Sequence, residues 1–574
     1  MVRHIMIAAQ SLSYGFKSIR SRPSAGTAKD DTLYQRCAYG ITICLLLACF
    51  LMVCACSATE RPADMETQGP VVSSDPEATA SATPSAPAPG TETGTAPAPT
   101  PAPGTGTGNE TASDKGETPY VTFNDMFYNP LMVYYMLGDP WLTYRDGMYY
   151  FTLSGGDHAS VMPSRTVSGL MSNIPNRKTV YLGVENNQTQ IWGNELHFYQ
   201  GRWYIFYAAD YNNDNTLHRM YALRSLTDDP LGKYEFAGKL DLPDDQWAID
   251  GTFFECADGR IFLIWSGWRN LSEGSTLWFQ RLYIAELEPG DPTRVISTER
   301  VVISEPHYYW ETSVLPQNEG PAMLVSPEGT VYCAYAANFS GSDEYHIGLL
   351  RLKRGSDPMI AENWEKFPEP LLAPDRENEI FGPGHCSFFK SPDGTEDWMI
   401  YHAAKASGSG WDRNARAQKV EWIGDVPYMG KPASLHEPQP LPSGEKVDRI
   451  LIQAEDCELV NRAFVVDAGA AGKAVSFTSK ADRMVATVRV GSDGDYAVYI
   501  RHSNHGEIES NLWVRANDMA PEHTCPASRS GAPGQFTMTC AVLKLNEGLN
   551  TIHISAGRDV DVDLIILDLE PVNQ

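Results

Sequence analysis

Five stretches in the middle of the chain share one pattern of polar and apolar positions. Each is a glycine-containing turn, then an apolar and aromatic run, then small residues. They read RDGMYYFTLSG (145–155), YQGRWYIFYAAD (199–210), ADGRIFLIWSG (257–267), PEGTVYCAYAA (327–337) and PDGTEDWMIYHAA (392–404). A tight turn takes glycine for its positive φ, and the run after it reads as a buried strand. Counted from the residue after each turn glycine (148, 202, 260, 330 and 395), the spacings are 54, 58, 70 and 65 residues. Each interval holds four strands and their loops, and periodic all-β units of this kind predict a five-bladed β-propeller. A sandwich of short strands is the alternative. After the loop HEPQPLPSGE, residues 446–574 alternate in strand fashion between Gly, Asn and Asp breaks, which predicts a separate β-sandwich of jelly-roll type. The expected fold is therefore all-β, with little helix.

The N-terminal part follows other rules. Residues 1–37 carry Arg3, Lys17, Arg20, Arg22, Lys29 and Arg36, and an uncharged run spans Ala38 to Cys56. Basic, apolar, then a small residue before cysteine is the layout of an export signal. The ending Val53-Cys54-Ala55-Cys56 resembles a bacterial lipobox, with Cys56 as the lipidated residue. An uncleaved anchor is the alternative, since the run has the length to span a bilayer. Residues 57–118 are rich in Pro, Ala, Thr and Gly, a composition that cannot bury enough apolar surface to offset its ordering entropy. The expected organisation is a signal or anchor at 1–56, a disordered linker at 57–118, the propeller at 119–440 and the sandwich at 446–574. The folded part is then extracellular and tethered, touching membrane only through its N-terminus.

The formal charge of -27 argues against a nucleic-acid partner, which requires a basic surface. The 11 cysteines include no zinc-like spacing, and Cys525 and Cys540 fit either a bridge or buried free thiols.

Ionisable residues recur just before the five turns: Asp139 in LGDPW, Glu195 in IWGNELH, Asp250 in WAIDGTFF, Glu319 in NEGPAM and His385 in GPGHCSFF. In a propeller these positions lie on the innermost strand of each blade, so the five groups converge on one end of the axis. A buried carboxylate must be satisfied by partners, and one alone can be structural. Four at comparable places point to carbohydrate cleavage, in which two carboxyl groups divide acid and base work.

Asp139-Pro140, Asp250 at its apolar strand start, Asn318-Glu319-Gly320-Pro321 and Gly382-Pro383-Gly384-His385 resemble, in order and spacing, the motifs of glycoside hydrolase family 43. The resemblance covers about residues 120 to 435 and is nearest to exo-α-1,5-L-arabinofuranosidases, in FYNPL, RMYALRS, NEGPAM and GPGHCSFF. It implies Asp139 as the general base, Glu319 as the general acid and Asp250 as the residue that tunes the acid. It also implies inversion at the anomeric carbon, with acid and base roughly 6.5–9.5 Å apart. His385 resembles a family histidine near the axis that often holds calcium through water. Arg416, in WDRNARAQKVEW, resembles an arginine reaching the first sugar subsite. Trp192 and Trp141 are candidate sugar platforms or core residues, and Glu195 joins the substrate-binding set. The sequence departs from the family at Trp141 and at Gly193-Asn194, which bears on sugar specificity.

Residues 446–574 resemble carbohydrate-binding modules of families 6 and 35. In those modules an early Glu and a late Asp hold structural calcium, and Glu455 and Asp563 are the matching positions. Phe536 sits where such modules sometimes place a ligand-contacting Trp. The implied activity is release of terminal L-arabinofuranose from the plant cell-wall polysaccharides arabinan or arabinoxylan, with no catalytic cofactor. A β-xylosidase, another furanosidase, or a non-catalytic carbohydrate-binding lipoprotein are the rival readings.

Overall fold

The structure is a computed structural model that describes residues 116–572 apart from 134–136, 270–278, 519 and 531. Cys56, the export signal and nearly all of the expected linker lie outside the described residues. What is described is all-β.

Five antiparallel sheets follow one another along the chain. They open with the strands Trp141–Arg145, Thr189–Tyr199, Ala248–Glu255, Asn318–Val325 and Phe381–Lys390. Each opening strand pairs with the run after its glycine turn, as the polarity pattern requires. The opening strands of consecutive sheets pack on each other, and that of the fifth packs on that of the first, so the series closes on itself.

Five apolar clusters fill the spaces between neighbouring sheets. Val161, Leu196 and Ile205 lie between the first and second, and Phe206, Leu263 and Trp265 between the second and third. Ile264, Ile284 and Tyr335 follow, then Leu349, Met399 and Tyr401. Phe151, Met162, Trp398 and Ile400 join the fifth sheet to the first. Strands buried on both faces become continuous apolar runs, which is why IFLIWSG does not alternate.

The fifth sheet takes its outer strand from the other end of the chain. Met132–Val133 pairs with Arg413–Lys419, joining residues nearly three hundred positions apart. The segment before it belongs elsewhere. Val121–Thr122 pairs with Arg449–Gln453, and the Thr118 N–H donates to the Thr487 carbonyl at 2.9 Å. The border expected at residue 119 therefore does not coincide with the start of the five-sheet series.

Residues from 449 onward build a seven-stranded sheet, completed by Val121–Thr122, and a five-stranded sheet. One core holds Ile452, Val498 and Ile565 from the first and Met484, Val514 and Ile554 from the second. Cys525 and Cys540 are free thiols.

Candidate active site

The five opening strands share a local irregularity. Each contains, or in the first sheet starts two residues after, a residue with positive φ: Asp139 at 52°, Gly193 at 57°, Asp250 at 53°, Gly320 at 54° and His385 at 38°. In the last four sheets the strand register slips at that point. A bulge of this kind re-aims a side chain and ends regular pairing. Glycine is the relaxed choice, and two of the sheets use it. Holding Asp139, Asp250 and His385 there costs on the order of 1–3 kcal/mol each, a cost borne at functional sites. This register also separates two expected residues from the other three. Glu319 precedes its left-handed glycine and Glu195 lies two residues after one, so the five groups are not strictly equivalent.

The three strained residues meet. His385 Nδ1 lies 3.1 Å from Asp139 Oδ1 and 3.9 Å from Asp250 Oδ2. Asp250 Oδ2 accepts the Gly320 N–H at 3.0 Å, and Glu319 Oε1 accepts the Tyr345 hydroxyl at 2.9 Å. The two glycines make room: a Cβ on Gly193 would stand 2.9 Å from Asp250 Oδ1, and one on Gly320 2.9 Å from the His385 ring. At Gly193, where the sequence departs from the family pattern, a side chain would thus crowd Asp250.

Electrostatics divide the carboxyl groups. Burial alone would raise Asp139, but the charge and hydrogen bond of His385, with help from His402 and Arg413, hold it well below the usual carboxylate range. Burial lowers His385, yet Asp139, Asp250 and Glu195 together lift it to about 9, so this pair is ionised. Burial and then the neighbouring charge of Asp250 push Glu319 up to about 7, against the opposing Tyr345 hydrogen bond. Asp250 itself rises to about 6, from burial and the charge of Asp139. One carboxylate is thus held ionised and another carboxyl held protonated. The Asp139 side chain keeps 21% of its exposure against 5% for Asp250 and 7% for His385, so Asp139 is the group that water reaches.

The remaining expected residues fall into place less evenly. Glu195 is buried, and burial raises its pKa well above normal while His197 is lowered to about 3. His197 Nε2 and Glu195 Oε2 stand 2.8 Å apart. Trp192 is half-buried, with one face stacked on His218 at 4.0 Å. Trp141 is partly buried, donates its indole N–H to the Leu196 carbonyl and packs on His197.

Arg416 is not at the carboxylates. It donates to Asn414 Oδ1 at 2.8 Å and toward the Ala404 carbonyl. Arg413 stands there instead, because residues three apart on a strand point to opposite faces. Its charge acts on Asp139 and Glu319, and it donates to His402 Nε2 at 2.8 Å. Burial, then Arg413, keep His402 neutral, and the same ring lies 3.3 Å from the Asp139 N–H. A neutral imidazole accepts only once, so the shorter contact is the bond.

Sequence reading missed Arg413, His402 and Tyr345. Arg413 was visible beside Arg416 in the same motif. Tyr345 carried no signal, since it lies in a loop of the fourth sheet.

The residues expected to hold calcium differ in their surroundings. Asp563 is paired with the buried Arg501 guanidinium, so its charge is already met, although Glu455 Oε2 is buried without a hydrogen-bond partner. At the axis, the protonated His385 is engaged by Asp139. Among the described residues no three His, Cys, Asp or Glu stand close enough to hold an ion. Phe536 is buried, and Arg501 lies 4.7 Å over its ring.

Residues 127–427 match the family described as glycosyl hydrolases family 43. An extracellular exo-α-(1→5)-L-arabinofuranosidase from Streptomyces avermitilis is 31% identical over 332 residues, which are 55% of this chain and 65% of that relative. The match thus spans less than two thirds of that protein. A relative of the same name from Streptomyces chartreusis is 27% identical over 45% of this chain and 77% of its own. The crystal structure of an α-L-arabinofuranosidase from Lactobacillus brevis is 27% identical, with 54% of this chain and 98% of that one covered at a TM-score of 0.49. With more than half of its length matched to the family and its motif residues gathered at one centre, the chain belongs to glycosyl hydrolases family 43.

Proposed function

We propose that the protein is an extracellular, exo-acting α-L-arabinofuranosidase that inverts the configuration it cleaves. The five sheets are read as the blades of a propeller, and the two C-terminal sheets as a sandwich. The observation that carries the reading is the split of the carboxyl groups, with Asp139 ionised and water-accessible and Glu319 protonated and enclosed. Carboxyl groups pushed apart in pKa take opposite proton-transfer roles.

Asp139 removes a proton from water as the water attacks the anomeric carbon. Glu319 gives its proton to the departing glycosidic oxygen. His385 orients Asp139 and keeps it charged, and Asp250 keeps Glu319 protonated. One displacement passes the leaving group's proton from Glu319 and returns a proton to Asp139, so the two exchange protonation states and are reset by solvent. The arabinose reading takes its support from the names of the relatives, and arabinan or arabinoxylan are the proposed polymers. The N-terminal basic and apolar segment supports export and tethering, with Cys56 as the proposed lipid attachment point.

The test is sugar release from linear arabinan and arabinoxylan by wild type and Glu319→Ala. Arabinose from wild type, reduced about 10²–10⁴-fold in the variant, is the expected result. Undiminished release from Glu319→Ala would sink the mechanism, and cleavage of a nitrophenyl xyloside alone would replace the arabinosidase by a xylosidase. NMR of the first product anomer reports inversion directly. Activity is expected to fall as pH rises through about 7, where Glu319 loses its proton.

A further inference from the structure

A cavity of about 280 Å³ lies where the fifth sheet meets the C-terminal sheets. Phe381, Asn414 and Asn378 border it on one side, and Ser528, Phe536 and Thr537 on the other. Neither half encloses it alone. A bond from the Gln535 amide to Glu379 ties the two sides together, and Arg501 Nη2 reaches the Leu435 carbonyl at 3.4 Å.

Its place follows from the strand Phe381–Lys390. Phe381 begins that strand and His385 lies four residues along it, so one strand borders the cavity and carries a residue of the carboxylate cluster. At ~3.3 Å per residue the backbone positions of Phe381 and His385 are at most about 13 Å apart, a distance spanned by a short oligosaccharide. Domain junctions are where pockets of this size form preferentially.

The lining selects the ligand chemistry. Hydroxyls and carboxamides stand beside the partly exposed Phe381 ring, which suits a sugar with its hydrogen-bonding edge and apolar C–H face. Of the charged residues at its edge Lys405 is paired, and Glu379 and Arg529 are of opposite sign and hydrogen-bonded. Lys405 pairs with Asp412 at 2.8 Å, Glu379 accepts from Gln535, and Arg529 Nε donates to the Gly506 carbonyl at 3.2 Å.

We propose that this cavity binds neutral sugar units of the same glycan whose end is cleaved at the carboxylates. The choice of glycan rests on the proposed glycosidase activity. The site is built by both halves of the protein, so the C-terminal sheets contribute to recognition beside the strand that carries His385 rather than through a remote surface.

The test uses the full chain carrying Glu319→Gln, so that no bond is cleaved during titration. Calorimetry compares arabinobiose with arabinohexaose before and after Ala532→Trp or Ala406→Trp, which fill the cavity from opposite sides. The hexasaccharide is expected to bind more tightly than the disaccharide, and either filling substitution to cut that ratio about tenfold. Where tryptophan prevents folding, Asn378→Ala takes its place, with the same direction expected. Equal binding of both lengths, an unchanged ratio after filling, or tighter binding of oligogalacturonate would each overturn the proposal. Should wild type cleave no arabinoside yet bind xylohexaose or a galactan hexasaccharide in a manner lost on filling, the arabinosidase reading fails and the cavity stands.

Discussion

Glu311 and Glu319 are eight residues apart, both buried, and in opposite electrostatic states. Glu311 is met by a cation: Lys366 Nζ lies 2.6 Å away, Asn318 and Tyr335 donate to the same oxygen, and the backbone N–H groups of His307 and Tyr308 donate to the other. Burial alone would raise its pKa, but Lys366 and these donors hold it below the ordinary value. Glu319 has a phenol for a partner and a carboxylate for a neighbour, and is raised to about 7. Burial is common to both, so burial does not identify a reacting group. Whether a permanent positive charge compensates it does. Asp563 lies between the two, since burial raises it although the Arg501 guanidinium opposes the shift. The two glutamates are also coupled mechanically, because Asn318 next to Glu319 hydrogen-bonds both Glu311 and Lys366. A fixed ion pair thus anchors the strand that presents the acid.

The largest expected effect breaks the compensated member. Glu311→Ala leaves Lys366 buried without its counter-charge, and unfolding in urea should show a loss of about 3–5 kcal/mol. A loss under about 1 kcal/mol would mean that the pair is solvated in practice and the contrast with Glu319 is overdrawn.

Next is the pH dependence of stability, which should have opposite signs at the two residues. Glu319 has a folded pKa raised above its unfolded value, so its contribution is fully present below about 4.5 and is lost as pH rises through about 7. Glu311 is depressed, so its contribution is present above the ordinary carboxylate range and is lost on acidification. Glu319→Gln cannot ionise and should raise Tm relative to wild type above pH 7, with the difference shrinking towards pH 4.5. A pH-independent difference would show that Glu319 titrates normally.

The smallest effect sharpens the role of Tyr345. Its hydrogen bond to Glu319 favours the ionised form. Tyr345→Phe should therefore move the alkaline limb of kcat/KM to higher pH, with a loss of about tenfold at the optimum from a less well-oriented acid. A loss of activity with an unshifted profile would assign Tyr345 a packing role only.

Much of this was legible from local patterns. The five glycine turns and their apolar runs mark five sheets because strand burial and turn geometry are short-range properties of the chain. Asp139, Asp250, Glu319 and His385 stand out since ionisable groups are rare within such apolar stretches. Arg416 was expected at the sugar site, and the arginine beside the carboxylates is Arg413, three residues earlier. The alternation of a strand is readable, but which face meets the axis depends on a partner strand far away in sequence. Tyr345 was invisible for the same reason, as its partner Glu319 is 26 residues distant, and so was His402, whose ring faces the Asp139 N–H from 263 residues away.

By itself, then, the sequence determined that the chain is built of β-strands, that they repeat, and that carboxyl groups recur at the strand starts. Those features depend on neighbours within one turn or one strand. Only the tertiary structure decided that Met132–Val133 completes the fifth sheet, that Val121–Thr122 joins the C-terminal one, and that Asp139, Asp250 and His385 share a strained backbone position. It also decided which buried carboxyl groups meet a cation. Coulomb energy depends on distance in space, and folding brings within 4 Å residues that the chain holds hundreds of positions apart.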